Sequence, residues 1–520
     1  MTKNNFEFKR YSDCVDFIEI IEKEFPVNSW KIKDFDLWPY IRIELAFFLA
    51  QKAGSIPIQC GKPEKINSKR FFFLFFRKIK RYLKEFQRVV TDTGINADSF
   101  ATINNNGLFA PPIDVIYLSQ SSTVTKLNGK WYNIFFDPIN EYLDLKGKKH
   151  LTLEYSNEAG IQNPKWINNY LDLNALIAAE PALNRFITEP FAVRLNRYDE
   201  FLNYLANCIG GFPESVQTNN IELNANQMYY TSLFFQAILK RSSPKYVFIT
   251  CYYFDLGFAL CHAAQKMNIK SIDMQHGVME AWPAYSNWTK IPAKGYSTIP
   301  DMFWTWTVSD ANYINKWAKR TIRHKAYDFG NTWLIAWNDQ KNRVFGKLGL
   351  PNVEFDEFKK KYSRIVLYTG QPLHNGAVIP EFIKETCRKS PVDWLWLIRI
   401  HPRQLEQLPA VCVEFAPIKN VIIKESSILP LPFLLKFTTI HITSESAVII
   451  EAASLGIASV ITSKKGCDFF SAYLESGILN YCDPDSNMLI DAIKKIGNAE
   501  PDSSKVISWS IEAAMDQLLT

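Results

Sequence analysis

The 520-residue chain has only nine cysteines and seven histidines. No two cysteines form a CxxC pair, and no Cys/His group has the spacing of a zinc site. Scattered and odd in number, the cysteines read as small buried hydrophobes in a reducing compartment, which excludes a disulfide scaffold. Glycine-rich nucleotide signatures are missing too. Without a GxGxxG or a GxxxxGK[ST], the standard dinucleotide fingerprint and the P-loop are excluded. Charge is nearly balanced, with 59 Lys+Arg against 53 Asp+Glu. Long apolar runs are also missing. Tyr246 to Ala264 has the length of a membrane span, but Asp255 stands at its middle, where a charge costs ~2.5–3.5 kcal/mol. YVFIT followed by FALCHAAQK reads better as strand, then helix. Residues 447–463 carry Glu451 and Gly456 and read as helix, turn, strand. No transmembrane helix is expected. MTKNNFEFKRYSD has no apolar core of the signal-peptide kind, so a cytoplasmic protein is expected.

What the chain does have is an ordinary globular composition, 47% hydrophobic and 22% charged, with length enough for two or three domains. Aromatic residues make up 14%, which suits clefts with large flat contact surfaces. Residues 69–88 hold eight basic residues and one acid, a local +7 in a chain whose total is +6. The remainder is therefore near neutral, which argues against a general nucleic-acid binder. KPEKINSKRFFFLFFRKIKRYLKEFQR reads as a basic, aromatic, amphipathic helix suited to an anionic membrane interface.

Three regions follow from the pattern. Residues 1–110 are a helical region that includes the basic helix. DCVDFIEIIEKEF and DLWPYIRIELAFFLAQKAG form its helical hairpin, joined by Trp30, Trp38, Pro39 and Arg42. Residues 111–340 alternate strand and helix: IDVIYLSQSS, WYNIFFDPI, PKYVFIT, IKSIDMQ, DMFWTWTVS and AYDFG read as strands, and 165–240 as mostly helical. Residues 341–520 begin with a polar connection, a hinge near 335–362, and repeat the rhythm with RIVLYTGQP, DWLWLIRIHPR, NVIIKESS, TTIHITS, IASVITS and GILNYCD. A last amphipathic helix spans 505–519. This rhythm predicts an α/β protein with two Rossmann-like parallel-sheet domains facing a cleft, ligands lying at the carboxyl ends of the strands.

Candidate chemistry falls at those strand ends. His401-Pro402-Arg403 follows WLWLIRI and offers charge-assisted hydrogen bonds to a phosphate. Ser444-Glu445-Ser446 opens the helix AVIIEAASLG, where hydroxyls and free N–H groups cap the helix or hold an anion. Glu451 follows as an acceptor for a ribose hydroxyl. Gly370-Gln371 closes the first strand of the second series, and Gly370 permits close approach of backbone to ligand. In the first domain Gln275-His276-Gly277 ends SIDMQ, and the Gly turn exposes His276 to the cleft. Asp255, Asp273 and Glu280 are the carboxylates nearby. Asp255 or His276 suits a general base for an inverting transfer, and Asp273 a nucleophile for a retaining one.

Together the QHG turn, the HP motif and S-x-S before a helix with Glu451-Ala452 resemble bacterial GT-B glycosyltransferases of surface polysaccharide (capsule and O-antigen) synthesis. The likeness is to sialyltransferases and Kdo transferases that use CMP-sugars. The resemblance implies a GT-B-like fold and transfer of a sugar from a nucleotide donor, CMP-linked Kdo or a sialic-acid-like sugar, to a lipid-linked or lipopolysaccharide glycan. It further implies that His401, Ser444 and Ser446 hold phosphate and that Glu451 holds the ribose. No acidic DxD cluster calls for a metal, so no cofactor is expected. Residues 69–88 would hold the enzyme on the inner face of the cell membrane. Two other readings stay open: a CDP-polyol phosphotransferase of the teichoic-acid type, and a non-catalytic nucleotide-sugar-binding subunit of a polysaccharide assembly.

Overall fold

A computed structural model describes residues 8, 10–52, 113–156, 161–338, 355–372, 377–497 and 510–519, apart from positions 168, 179, 181, 182 and 184. The basic helix expected at 69–88 and most of the expected hinge lie outside the described residues.

The chain opens with helices α1 (Tyr11–Glu24) and α2 (Trp38–Lys52), which pack on each other as the apolar spacing predicts. Seven strands then build a parallel sheet. They are β1 (Val115–Gln120), then, after helix α3 (Asp137–Leu145), β2 (His150–Tyr155) and β3 (Tyr170–Asp172). Helix α4 (Thr218–Ser242) leads to β4 (Tyr246–Thr250), α5 (Asp255–Lys266), β5 (Lys270–Met274), β6 (Met302–Thr305), α6 (Val308–Ala318) and β7 (Lys325–Asp328). The spatial order is β7-β6-β5-β4-β1-β2-β3. Helix α7 (Thr332–Asn338) leaves this sheet. The second sheet contains β8 (Arg364–Thr369), β9 (Trp394–Arg399) after helix α8 (Glu381–Lys389), β10 (Val421–Ile422) and β11 (Ile440–Thr443). Helix α9 (Val448–Ser454), β12 (Ala458–Ile461), α10 (Ser471–Glu475), β13 (Leu479–Tyr481) and α11 (Ser486–Lys495) complete it, in the order β10-β9-β8-β11-β12-β13. The final helix is α12 (Ile511–Leu519).

In both sheets the chain starts at the middle, winds to one edge, returns and winds to the other. This is the doubly wound order of a Rossmann sheet, and it places a ligand crevice where the order reverses. In the first sheet that point lies between β1 and β4, and in the second between β8 and β11. The protein is thus a GT-B-like α/β fold, two Rossmann-like domains with an N-terminal helical region. The strands are apolar on both faces because both faces are covered: five of the six residues of WLWLIR in β9 are buried. One core joins α1 and α2 to a face of the first sheet, through Phe17, Trp38 and Leu45 against Ile116, Leu118 and Val247. The opposite face takes α3 and, from the far end of the chain, Ala514, Met515 and Leu518 of α12. The last helix therefore returns to the first sheet, where the Tyr246 hydroxyl donates to the Leu518 carbonyl and Tyr142 to Asp516 at 2.6 Å.

Several local expectations are corrected. WYNIFFDPI is not a strand of the main sheet. Lys130–Asn133 pairs antiparallel with Val124–Leu127 in a separate hairpin, and helix α3 begins at Asp137. The strand beside β1 is instead HLTLEY, whose polar alternation hid it. NVIIKESS keeps two strand residues, and Lys424–Ile428 turns into a helix. The stretch 165–240 includes β3 and a short strand at Val193–Arg194 beside its helices.

Candidate functional site

The second sheet presents its loops at the β8/β11 reversal. Gly370 ends β8, and its N–H donates to the Arg399 carbonyl at 2.8 Å. A Cβ at Gly370 would stand 3.4 Å from that oxygen and 3.6 Å from the His401 nitrogen, so a small residue keeps the Gly370-Gln371 turn beside the 401 loop. His401 Nδ1 accepts from the Arg403 N–H at 3.2 Å. The ring proton therefore sits on Nε2. Burial, helped by the charge of Arg403, lowers the imidazole to about 4. At neutral pH His401 is an uncharged ring with an Nε2–H to give, flanked by exposed Pro402 and Arg403. Ser444, Glu445 and Ser446 follow β11, all partly exposed, and the Ser446 hydroxyl accepts from the Val448 N–H at 3.3 Å. The N-cap position itself is Ala447, which makes no side-chain cap, so the serine cap expected there is not formed. Burial raises the Glu445 carboxyl, with Lys465 and Ser463 pulling it back. Glu451 is raised to about 7 by burial, against the pull of Arg399.

The first sheet contributes the opposite wall. Asp255 is the first residue of α5 and is exposed, yet protein surrounds it closely enough that desolvation raises its carboxyl to about 6. It makes no ion pair among the described residues. Gly257 sets its place: a Cβ there would lie 2.2 Å from the Tyr252 carbonyl oxygen, so only glycine lets the first turn of α5 close against that loop. His276 is half-buried. Its Nδ1 lies 3.3 Å from the Met274 carbonyl, which can only accept, so Nδ1 carries the proton and Nε2 accepts from the Tyr253 hydroxyl at 3.2 Å. Burial lowers this ring also to about 4.

Two candidates lie elsewhere than expected. Asp273 has no exposed surface. It accepts from the Tyr252 N–H at 2.9 Å and the Tyr285 hydroxyl at 2.8 Å, and so ties two loops together inside the core rather than facing a sugar. Gln275 is equally buried. Its amide donates to Gly277 and Asp310 and accepts from the Trp306 N–H at 2.6 Å, so it clamps the turn that carries His276. Gly277 has open space around its missing Cβ and an ordinary φ; the turn does not depend on glycine.

The two walls meet. Val278, just past the His276 turn, and Trp306 pack against Ile449 and Ile450 of α9. Glu280 accepts from the Ser471 hydroxyl at the start of α10, and Asn331 lies 3.5 Å from Glu451. The QHG turn of one domain and the helix after S-x-S of the other thus border a common junction.

Sequence reasoning missed the support behind this wall. Arg42 of α2 is fully buried and pairs with Glu22 of α1. It donates to the carbonyls of Pro283 at 3.0 Å and Asn287 at 2.9 Å and to Ser286 Oγ at 3.0 Å, with its guanidinium over the Trp288 ring. The N-terminal hairpin therefore fixes the loop that follows His276. The signal was an arginine in the apolar first turns of that helix, WPYIRI. Glu44, on the same helix, accepts from Ser215 and is raised to about 7 by burial, with Asp255 adding to the rise. Gly466 was missed too: a Cβ there would meet Glu445 Cβ at 2.8 Å and the Ser444 carbonyl at 3.0 Å, so glycine lets the loop after β12 press against the S-x-S turn. Among the described residues no group of three or more His, Cys, Asp or Glu is placed to hold a metal, and no helix is long and apolar enough to cross a membrane.

No family model matches the sequence, and no curated protein does. Among solved structures the chain is similar to the UDP-GlcNAc 2-epimerase of Methanocaldococcus jannaschii, with TM-score 0.43 and 14% identity over 78% of this chain and 99% of that one. The UDP-GlcNAc 2-epimerase of Neisseria meningitidis bound to UDP-GlcNAc gives TM-score 0.42 and 14% identity over 78% and 100%. MurG of Acinetobacter baumannii gives 0.40 and 10% over 78% and 99%. The two strand orders, rather than these distant likenesses, establish the fold.

Proposed function

We propose that the protein is a glycosyltransferase that moves a sugar from a nucleotide donor, CMP-linked and of the Kdo or sialic-acid type, to a lipid-linked or lipopolysaccharide glycan. The observation that supports this most is the junction at which the turn after β5 in one domain borders the helix after S-x-S in the other. At the strand ends of the second domain stand a neutral imidazole donor, His401, with Arg403, and the Ser444 and Ser446 hydroxyls. At those of the first stands an exposed carboxylate, Asp255, raised to about 6.

In this reading the donor phosphate lies against the second domain. Negative charge grows on it as the sugar–oxygen bond breaks, and donors fixed in advance stabilise that charge. His401 gives its Nε2–H, Arg403 a full positive charge, and the serines their hydroxyls. Glu451 takes a ribose hydroxyl. Asp255 removes the proton of the acceptor hydroxyl as that oxygen attacks the anomeric carbon. A carboxyl that titrates near 6 is mostly ionised at pH 7 and still basic enough to assist. The arrangement assigns no step to a metal. Residues 69–88 are assigned the task of holding the enzyme on an anionic membrane of the cytoplasmic face, where such an acceptor lies.

The test has two arms. CMP, CDP, UDP and GDP are compared for their effect on melting temperature, where a ligand of the folded state alone raises it. Transfer from the stabilising nucleotide's sugar is then measured in wild type and Asp255→Asn. CMP is expected to stabilise, and the variant to lose about 10²–10⁴-fold in turnover, the range of a general base. No stabilisation by any nucleotide, or full turnover in the variant, refutes the reading.

A further inference from the structure

The N-terminal hairpin brings a second carboxyl to Asp255. Helices α2 and α5 touch where the Tyr40 ring meets the Phe258 ring edge-on, with centroids 6.2 Å apart. Asp255 lies three residues before Phe258, and Glu44 four residues after Tyr40. At those spacings each carboxyl shares a helix face with the ring beside it, one turn from the contact. Asp255 acts electrostatically on both Tyr40 and Glu44, and Glu44 on Tyr40, so the three groups form one cluster. A third side ties the cluster down. The Ser215 hydroxyl, on the turn Glu214–Val216, donates to Glu44 Oε2. Asn224 of α4 donates to Tyr40 Oη at 3.0 Å and to the Ser215 carbonyl at 3.3 Å. Among the described residues no basic side chain bears on either carboxyl.

Two neighbouring carboxyls with no cation beside them do not ionise independently, because the first charge holds back the second. Asp255 titrates first, near 6, and its charge adds to the burial that holds Glu44 near 7. Around neutrality an Asp255 carboxylate therefore stands with a Glu44 that is only partly ionised. We propose that Glu44 and Asp255 form one carboxyl pair, and that Glu44, a positioning residue acting through Asp255, sets how firmly Asp255 holds the proton it takes from the acceptor hydroxyl. Glu44 carries none of that proton; its own negative charge makes Asp255 the stronger base. The base role of Asp255 rests on the glycosyl-transfer reading, whereas the pair itself does not.

The first readout needs no substrate. The full chain is labelled with carbon-13 at the glutamate carboxyls, and the resonance missing from Glu44→Gln identifies Glu44. Its titration is followed by NMR in the otherwise native chain and in Asp255→Asn. Removing the neighbouring charge is expected to lower the Glu44 midpoint by about one pH unit. The second readout is the pH profile of transfer, measured with the sugar of the nucleotide that stabilises the protein. Wild-type kcat/KM is expected to rise in two steps, near 6 and near 7, and Glu44→Gln to keep only the first. The variant is then about three- to tenfold slower at pH 8 and unchanged at pH 5.5, a split that a merely structural loss would not produce. Glu44→Asp, which restores a carboxyl, is expected to restore the second step. An unmoved Glu44 midpoint in Asp255→Asn overturns the pair, whatever the reaction proves to be. A moved midpoint with a two-step profile retained in Glu44→Gln overturns the role of Glu44 in transfer and leaves the transfer reading standing. Full turnover in Asp255→Asn refutes Asp255 as the base, and with it this role of Glu44, while the coupled titration stands.

Discussion

Replacing Arg42 by methionine removes the cation that ties the N-terminal hairpin to the loop after His276. Glu22 would stay in place, fully buried, with only the Trp38 indole at 2.9 Å and Thr289 at 2.7 and 2.5 Å as neutral donors. The acceptors at Pro283, Ser286 and Asn287 would lose their donor at the same time. Removing one partner of a buried pair costs about 3–5 kcal/mol because the other charge is left uncompensated. With an unfolding entropy of ~2.1 cal/mol/K per residue over a unit of roughly 300 residues, that is a fall in melting temperature of about 5–8 °C. Differential scanning calorimetry resolves the first domain's transition from the second's, which is expected to stay put. The double variant Glu22→Gln/Arg42→Met removes both charges and is expected to recover more than half of the loss, since the desolvation of the orphaned carboxylate disappears. The single variant is also expected to lose transfer activity below its melting point as the 276–289 loop loosens. A shift under 1 °C in the single variant, or a double variant no better than the single one, refutes the claim that the pair carries this weight.

His401→Ala is expected to weaken nucleotide binding roughly 10- to 150-fold, the loss of one hydrogen bond to a charged group, as read by isothermal titration calorimetry. Because the ring titrates only near 4, wild-type nucleotide affinity is expected to stay flat from pH 5 to 8 with respect to this residue, and a steep fall below pH 7 that His401→Ala abolishes would contradict it. His441 sits in the core of the second sheet between Thr369 at 2.8 Å and Ser459 at 3.0 Å, lowered by burial from 6.5 to about 3. The unfolded chain takes a proton there below its ordinary value while the folded one refuses it, so this residue makes stability fall as pH drops from ~6.5 toward 3. At pH 5 the loss from this one group is on the order of 2 kcal/mol, and His441→Gln is expected to lack it in pH-dependent denaturation, whatever its stability at pH 7.

Parallel strands are built from runs buried on both faces, and such runs are visible without coordinates. YVFIT, WLWLIR and IHIT are strands because β-branched and aromatic residues fill both sides. With the glycine, proline and serine punctuation between them, they determined the alternating architecture and placed His401, Ser444 and Asp255 at strand ends. HLTLEY escaped notice because its alternation resembles a surface strand, and WYNIFF looked like a core strand because a short hairpin can be as aromatic as a buried one. Local composition does not say which partner a strand finds.

The sequence by itself determined the alternating strand–helix rhythm of the two domains, the strand-end positions of the candidate groups and the apolar character of the N-terminal helices, while the strand order came from the tertiary structure. Only the tertiary structure decided which of those groups are open to a ligand. Asp273 and Gln275 look like cleft residues along the chain, but both are consumed by hydrogen bonds inside the fold. Tyr253 and Arg42 look like ordinary core residues, yet His276 sits 23 positions from the one, and Pro283 and Asn287 sit 241 and 245 from the other. A side chain's proton, its tautomer and its exposure depend on neighbours brought together through space, and spacing along one chain carries no record of them.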